Sequence, residues 1–268
     1  MNLLTIFWAE LKREIILTFR YPFELMGRLV WNLGFALMIF YGFGAVGGAN
    51  SSAIPGFESG QTGRLVGLLI TYIAINAINN ASEMLLEETQ TGTLEQAALS
   101  PPPLVLILLM RDMASYIEML IRFALVLGVA VLITGVKLYL DIPTLCLLLT
   151  LMYLGLEGVG MMLGAAALLY KRIATLAQFA VMLVFGLAII PLETLPKWMG
   201  VFTENFPFTK ALIIIRQSIV EGVPFSDLFA NGSLISLVVN TVIFLTLGIL
   251  AFFAAERKAR QWGTLNQY

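Results

Sequence analysis

The sequence predicts an all-α membrane protein with six transmembrane helices, an N-terminal interfacial amphipathic helix and a re-entrant hairpin before the last span. Three observations carry this expectation. First, 59% of the 268 residues are hydrophobic, 12% are charged, and mean hydropathy is +0.89; soluble domains carry about 25% charged residues. Second, stretches nearly free of Asp, Glu, Lys and Arg recur at the roughly 20-residue length that crosses a hydrocarbon core. Third, Lys and Arg are unevenly shared between the two sides these stretches define. Histidine is absent and Cys146 is the single cysteine. That excludes Ser-His and Cys-His catalysis, histidine metal sites, an internal disulfide and multi-cysteine metal cages. A formal net charge of -1 gives no basic footprint for nucleic acid, and no such partner is expected.

Residues 3–20 read as a helix of a different kind from the spans. At about 100° per residue, Leu4, Phe7, Trp8, Leu11, Ile15 and Phe19 share one face, while Glu10, Arg13, Glu14 and Arg20 share the other. This is the pattern of a helix lying in the headgroup plane, with Phe7, Leu11, Arg13 and Ile15 as its working residues. It serves either as a membrane anchor or as a cuff around something docking from the cytoplasm. Tyr21-Pro22 ends it. The spans follow at 29–48, 65–86, 113–134, 143–169, 173–192 and 232–255, and together they make residues 1–268 one transmembrane domain. With the N-terminus inside, eleven basic residues flank the cytoplasmic side, among them Lys12, Arg28, Arg111, Lys171 and Arg257. Five, Arg64, Lys137, Lys197, Lys210 and Arg216, flank the other. Both termini are therefore expected in the cytoplasm, in a bacterial inner membrane, with no signal peptide ahead of the first span.

The 87–100 loop after the second span is closely specified. Thr93 and Gln96 form a capping box, Gly92 allows a tight approach, and Pro101, Pro102 and Pro103 stop the helix after Ser100. A helix of about two turns is marginal alone, so either a partner surface supports it or it is simply a well-capped loop. Segment 193–225 is broken by Pro196, Pro207 and Pro224 yet rich in Trp198, Phe202, Phe206 and Phe208. It reads as short re-entrant or interfacial helices on the outer side, buried in protein as non-spanning backbone must be.

Ionisable residues inside spans cost about 2.5–3.5 kcal/mol each on insertion scales, so each needs a reason. Glu157 sits mid-span among Gly155, Gly158 and Gly160. It is either a cation, proton or substrate site, or a hydrogen-bonded carboxyl that locks helix packing. Tyr72, Asn76, Asn79, Asn80 and Glu83 fall on one face of the second span, which lines either a pathway or a subunit interface. Glu118 and Arg122 are four apart and can pair.

Taken together, the interfacial helix, six spans, the Gly92-Thr93-Leu94-Glu95…Ser100-Pro101 loop and the apolar segment with Asn205-Phe206-Pro207, Arg216 and Gly222 resemble one family. It is the permease subunit of type-2 ATP-binding-cassette transporters, of the export type. The resemblance implies that Glu87 through Pro101 is a coupling helix, with Glu87, Glu88, Gly92, Thr93, Leu94, Glu95, Gln96 and Leu99 meeting an ATPase. It further implies a second permease subunit, two copies of a separate ATPase subunit beneath the pair, and ATP with Mg held in that partner. No cofactor is expected in this chain, which has no G-x-x-x-x-G-K-[ST] loop and is not expected to be an enzyme. The implied cargo is an amphipathic small molecule such as a drug or antibiotic. A lipid-linked glycan exporter, a proton-coupled secondary transporter using Glu157 and a non-transporting scaffold are the competing classes.

Overall fold

Every regular element among the described residues is an α-helix. The computed structural model describes residues 3–47, 60–91, 104–170, 174–189, 200 and 203–262. In chain order these hold α1 (Leu3–Arg20), α2 (Pro22–Gly47), α3 (Gly60–Thr91), α4 (Leu104–Thr134), α5 (Ile142–Tyr170), α6 (Ala174–Ile189), α7 (Pro207–Ile219), α8 (Phe225–Ala230) and α9 (Ser233–Trp262). Three contain stretches long and apolar enough to cross a membrane: Val105–Thr134, Ile142–Leu169 and Ser233–Ala259. Helix α3 holds a shorter apolar stretch, Leu65–Asn80. The expected spans at 29–48 and 173–192 coincide with α2 and α6 and lie partly outside the described residues.

Helix α5 is the centre. Of its apolar stretch 61% is buried inside the protein, against 28% for α4 and for α9. It packs on α9, α3 and α7, and α3 in turn touches α2, α4, α6 and α7. The α5–α9 seam is tight because Gly158 and Gly248 meet there. A Cβ on Gly158 would lie 2.6 Å from the Leu245 main-chain nitrogen, and one on Gly248 would lie 2.7 Å from the Gly158 Cα. Small residues that let backbones approach are the usual currency of helix association in lipid. Thr241 adds a bond across the same seam, its hydroxyl donating to the Leu151 carbonyl at 2.9 Å. On the outside, Ile121, Leu125, Val129 and Leu132 of α4 and Ile235, Val239 and Val242 of α9 stay exposed, an arrangement that suits lipid and not water.

Two boundaries differ from the sequence expectation. Helix α3 runs on to Thr91, not 86, so the backbone of Glu87 and Glu88 is helical. Helix α4 begins at Leu104, not 113, because Leu-Val-Leu-Ile-Leu-Leu-Met continues the pattern without Gly or Pro. That shift places Asp112 inside a membrane helix. Gly135 (φ 67°) closes α4, its amide donating to the Val131 carbonyl at 2.9 Å, a left-handed cap that glycine adopts without a Cβ penalty. Of the 193–225 segment, α7 is 13 residues, with Pro207 at its start and Phe208, Ala211, Leu212 and Ile215 buried. At roughly 20 Å it is too short to cross a core of about 30 Å.

Candidate functional site

The heptad-like spacing of α4 puts Leu108, Asp112 and Tyr116 on one face, and that of α5 does the same for Tyr153, Glu157 and Met161; all six are buried. The apolar members fall into two separate clusters. Val105, Leu108, Met161, Ala165, Leu168 and Phe252 pack at one end, while Tyr116, Met119, Leu149 and Tyr153 belong to the main core. Asp112 and Glu157 lie between the two clusters, as a polar layer through an otherwise apolar interior.

Each member of the layer is held by another helix. The Tyr153 hydroxyl donates to Asp112 Oδ2 at 2.7 Å. The Asn80 amide of α3 reaches the same hydroxyl oxygen at 3.5 Å, a weak contact by distance. Glu157, one turn along α5 from Tyr153 and on the same face, brings a second carboxyl beside Asp112. Asp112 Oδ1 and Glu157 Oε2 are buried and have no partner among the described residues. Beside the layer the Tyr116 and Tyr153 rings stack with centroids 4.2 Å apart, and the Tyr116 and Thr150 hydroxyls bond at 2.9 Å. Long side chains thus bridge α4 and α5, where small ones join α5 to α9.

A second polar region lies along α1. Its acidic residues turn inward and its basic ones do not: Glu10 accepts from Arg13 (3.4 Å) and from Arg111 of α4 (3.3 Å) and Glu14 is half-buried, while Arg13, Arg20, Trp8, Ile15 and Phe19 are exposed. A cleft of about 210 Å³ separates α1, α2 and α4, lined by Glu14, Thr18, Tyr21, Glu24, Arg28 and Glu118. Burial pushes the Glu14 carboxyl above the ordinary range, Arg13 opposes this, and Glu118 and Glu10 add to it. Glu24 pairs with Arg28, and Glu118 with Arg122, the latter as its spacing predicts.

The sequence-selected residues fall into three groups. Phe7 and Leu11 are half-buried in α1, whereas Arg13 and Ile15 are exposed. On α3, Tyr72, Asn76, Asn79 and Asn80 are all half-buried. Asn76 spends its amide on the Tyr72 carbonyl (2.7 Å), and Asn80 reaches Tyr153 of the Glu157 layer. Glu83, Glu87 and Glu88 lie on the last turns of α3, and their side chains are outside the described set. Gly92, Thr93, Leu94, Glu95, Gln96 and Leu99 lie outside the described residues altogether. The sequence reading missed Asp112 and Tyr153. The first stood just ahead of the expected third span; the second is four residues before Glu157 on the same face, a spacing that could have revealed it.

Residues 5–220 match the sequence family described as ABC-2 type transporter. No curated protein and no solved structure matches the chain.

Proposed function

The chain belongs to the ABC-2 type transporter family, and from that premise we propose that it forms one half of a dimeric export pathway driven by separate ATPase subunits. The match over residues 5–220 carries this reading: it makes the chain a multi-pass transmembrane permease of that type. In the proposed assembly two permease subunits pair and two ATPase subunits dock beneath them, holding ATP and Mg, while this chain holds no cofactor and hydrolyses nothing. The chain crosses a bacterial inner membrane six times with both termini in the cytoplasm; the eleven-to-five bias of basic residues supports that orientation. Residues 87–100 couple to the ATPase, α1 lies along the inner interface, and 193–225 folds back on the outer side. The cargo is an amphipathic small molecule such as a drug or antibiotic.

The test is purification of the tagged full chain from its native membrane. An ATPase subunit should accompany it, and charge reversal at Glu87, Glu88 and Glu95 should release that subunit. In vesicles the complex should hydrolyse ATP faster when amphipathic drugs are added, and the chain alone should hydrolyse none. Stimulation by a lipid-linked glycan instead would reassign the cargo. If no ATPase associates and transport follows a proton gradient, the chain is a secondary transporter working through Glu157.

A further inference from the structure

The hydrogens of the polar layer can be counted. Tyr153 has one hydroxyl hydrogen and gives it to Asp112 Oδ2. The Asn80 amide reaches the Tyr153 oxygen with one of its two hydrogens and bears on Asp112 as well. Glu157, one turn along α5 from Tyr153, sets a second buried carboxyl beside Asp112, and an ionised carboxylate can only accept. Two carboxylates side by side in a low dielectric repel, so one of the two keeps its hydrogen and offers it to the other. Both side chains are 1% exposed, and each keeps one buried oxygen without a partner among the described residues. We propose that Asp112 and Glu157 form a proton-binding site, holding one proton between two carboxyls and thereby linking α4 to α5 inside the membrane.

The surroundings fit a proton better than a larger cation. A metal ion seated here would take several oxygens at once, whereas Asp112 Oδ2 already accepts from Tyr153. Asn80 faces the pair from α3, Asp112 from α4 and Tyr153 from α5 itself; no basic group acts on either carboxyl among the described residues. At the same level α9 presents Phe244 and Gly248 to Gly158, and α7 sets Pro207 against Gly155. One proton therefore leaves the pair with a single negative charge in place of two. When the proton leaves, two like charges face each other in a medium of low dielectric and repel. This site rests on the geometry of the chain alone and not on the transport reading.

Infrared spectroscopy of the full chain in lipid vesicles tests it. At neutral pH the unaltered protein should show the carbonyl stretch of one protonated carboxyl per chain that is absent from both Asp112→Asn and Glu157→Gln. In either variant the new amide donates to the remaining carboxylate, and the proton is no longer required. The thermal midpoint of the unaltered protein should fall as alkaline pH removes that band, and the fall should be lost in both variants. Absence of a band removed by both substitutions overturns the site, as does a midpoint that tracks sodium or potassium concentration in place of pH. If a variant does not fold, carbon-13 labelling of the Asp and Glu carboxyls in the unaltered chain decides. An acid band that titrates together with the midpoint supports the site, and no such band overturns it.

Discussion

Gly158→Ala should loosen the α5–α9 seam, and the structure sets the size of the effect. The added Cβ would lie 2.6 Å from the Leu245 nitrogen and closer still to the Phe244 carbonyl, where carbon atoms need about 3.5–4.0 Å. The obstacle is main chain, which no rotamer change can move aside, so the helices must part by roughly 1 Å. Overpacking of this kind costs about 1–3 kcal/mol. Gly248→Ala meets the Gly158 main chain from the other side and should cost a similar amount. Both clashes are relieved by the same separation, so the double variant should cost less than the sum, with a coupling of about 0.5–3 kcal/mol. Gly128→Ala on the exposed face of α4, with nothing within 4 Å of its Cβ, is the control and should be neutral or stabilising. Thermal unfolding of the purified chain in micelles, followed by tryptophan fluorescence, measures the four variants against wild type. A Gly158→Ala midpoint equal to wild type, or strict additivity of the pair, would refute the seam.

Three further outcomes follow from other contacts. Glu10→Gln removes the charge that Arg13 and Arg111 share; it should weaken α1 docking by on the order of 1 kcal/mol, and a spin label on exposed Lys12 should become more mobile. The same label reports Glu14, whose carboxyl is pushed up by burial, so the docked helix binds the proton more tightly than the released one. Docking is then strongest below the ordinary glutamate value and weakens as pH rises from there through the raised value; Glu14→Gln should flatten that slope, and a label equally pH-sensitive in the variant sinks the assignment. Asn240→Ala removes the amide that donates to the Asn205 carbonyl at 2.5 Å, which should destabilise the chain by about 1–3 kcal/mol in chemical unfolding, while Asn240→Gln recovers part of the loss.

The helical class, the amphipathic α1 and the Glu118–Arg122 pair were legible because each rests on local spacing. Glu157 was legible as an anomaly, since a charge in an apolar run stands out. Its partner was not: Asp112 and Tyr153 lie 41 residues apart in the chain, and nothing in one sequence tells which face of α4 meets which face of α5. Glycine composition suggested close packing around Glu157, but Gly248 became a partner for Gly158 only once α9 was placed. The inward turn of Glu10 was hidden for a related reason. An amphipathic pattern gives two faces, and the contact with Arg111, 101 residues away, turns Glu10 toward the protein while Arg13 stays exposed.

The seam between α5 and α9 also imposes an order on synthesis. The residues it joins, Leu151 and Thr241, are 90 positions apart, so α9 leaves the ribosome well after α5. The α4–α5 link through Asp112 and Tyr153 spans only 41 positions and can close as soon as α5 is made. From then until α9 arrives, the glycine groove of α5 lies open to lipid or to whatever insertion factor shelters it. A nascent chain halted before Ser233 would therefore carry a closed polar layer beside an unfilled groove, and quality control could tell it from the finished protein by that groove.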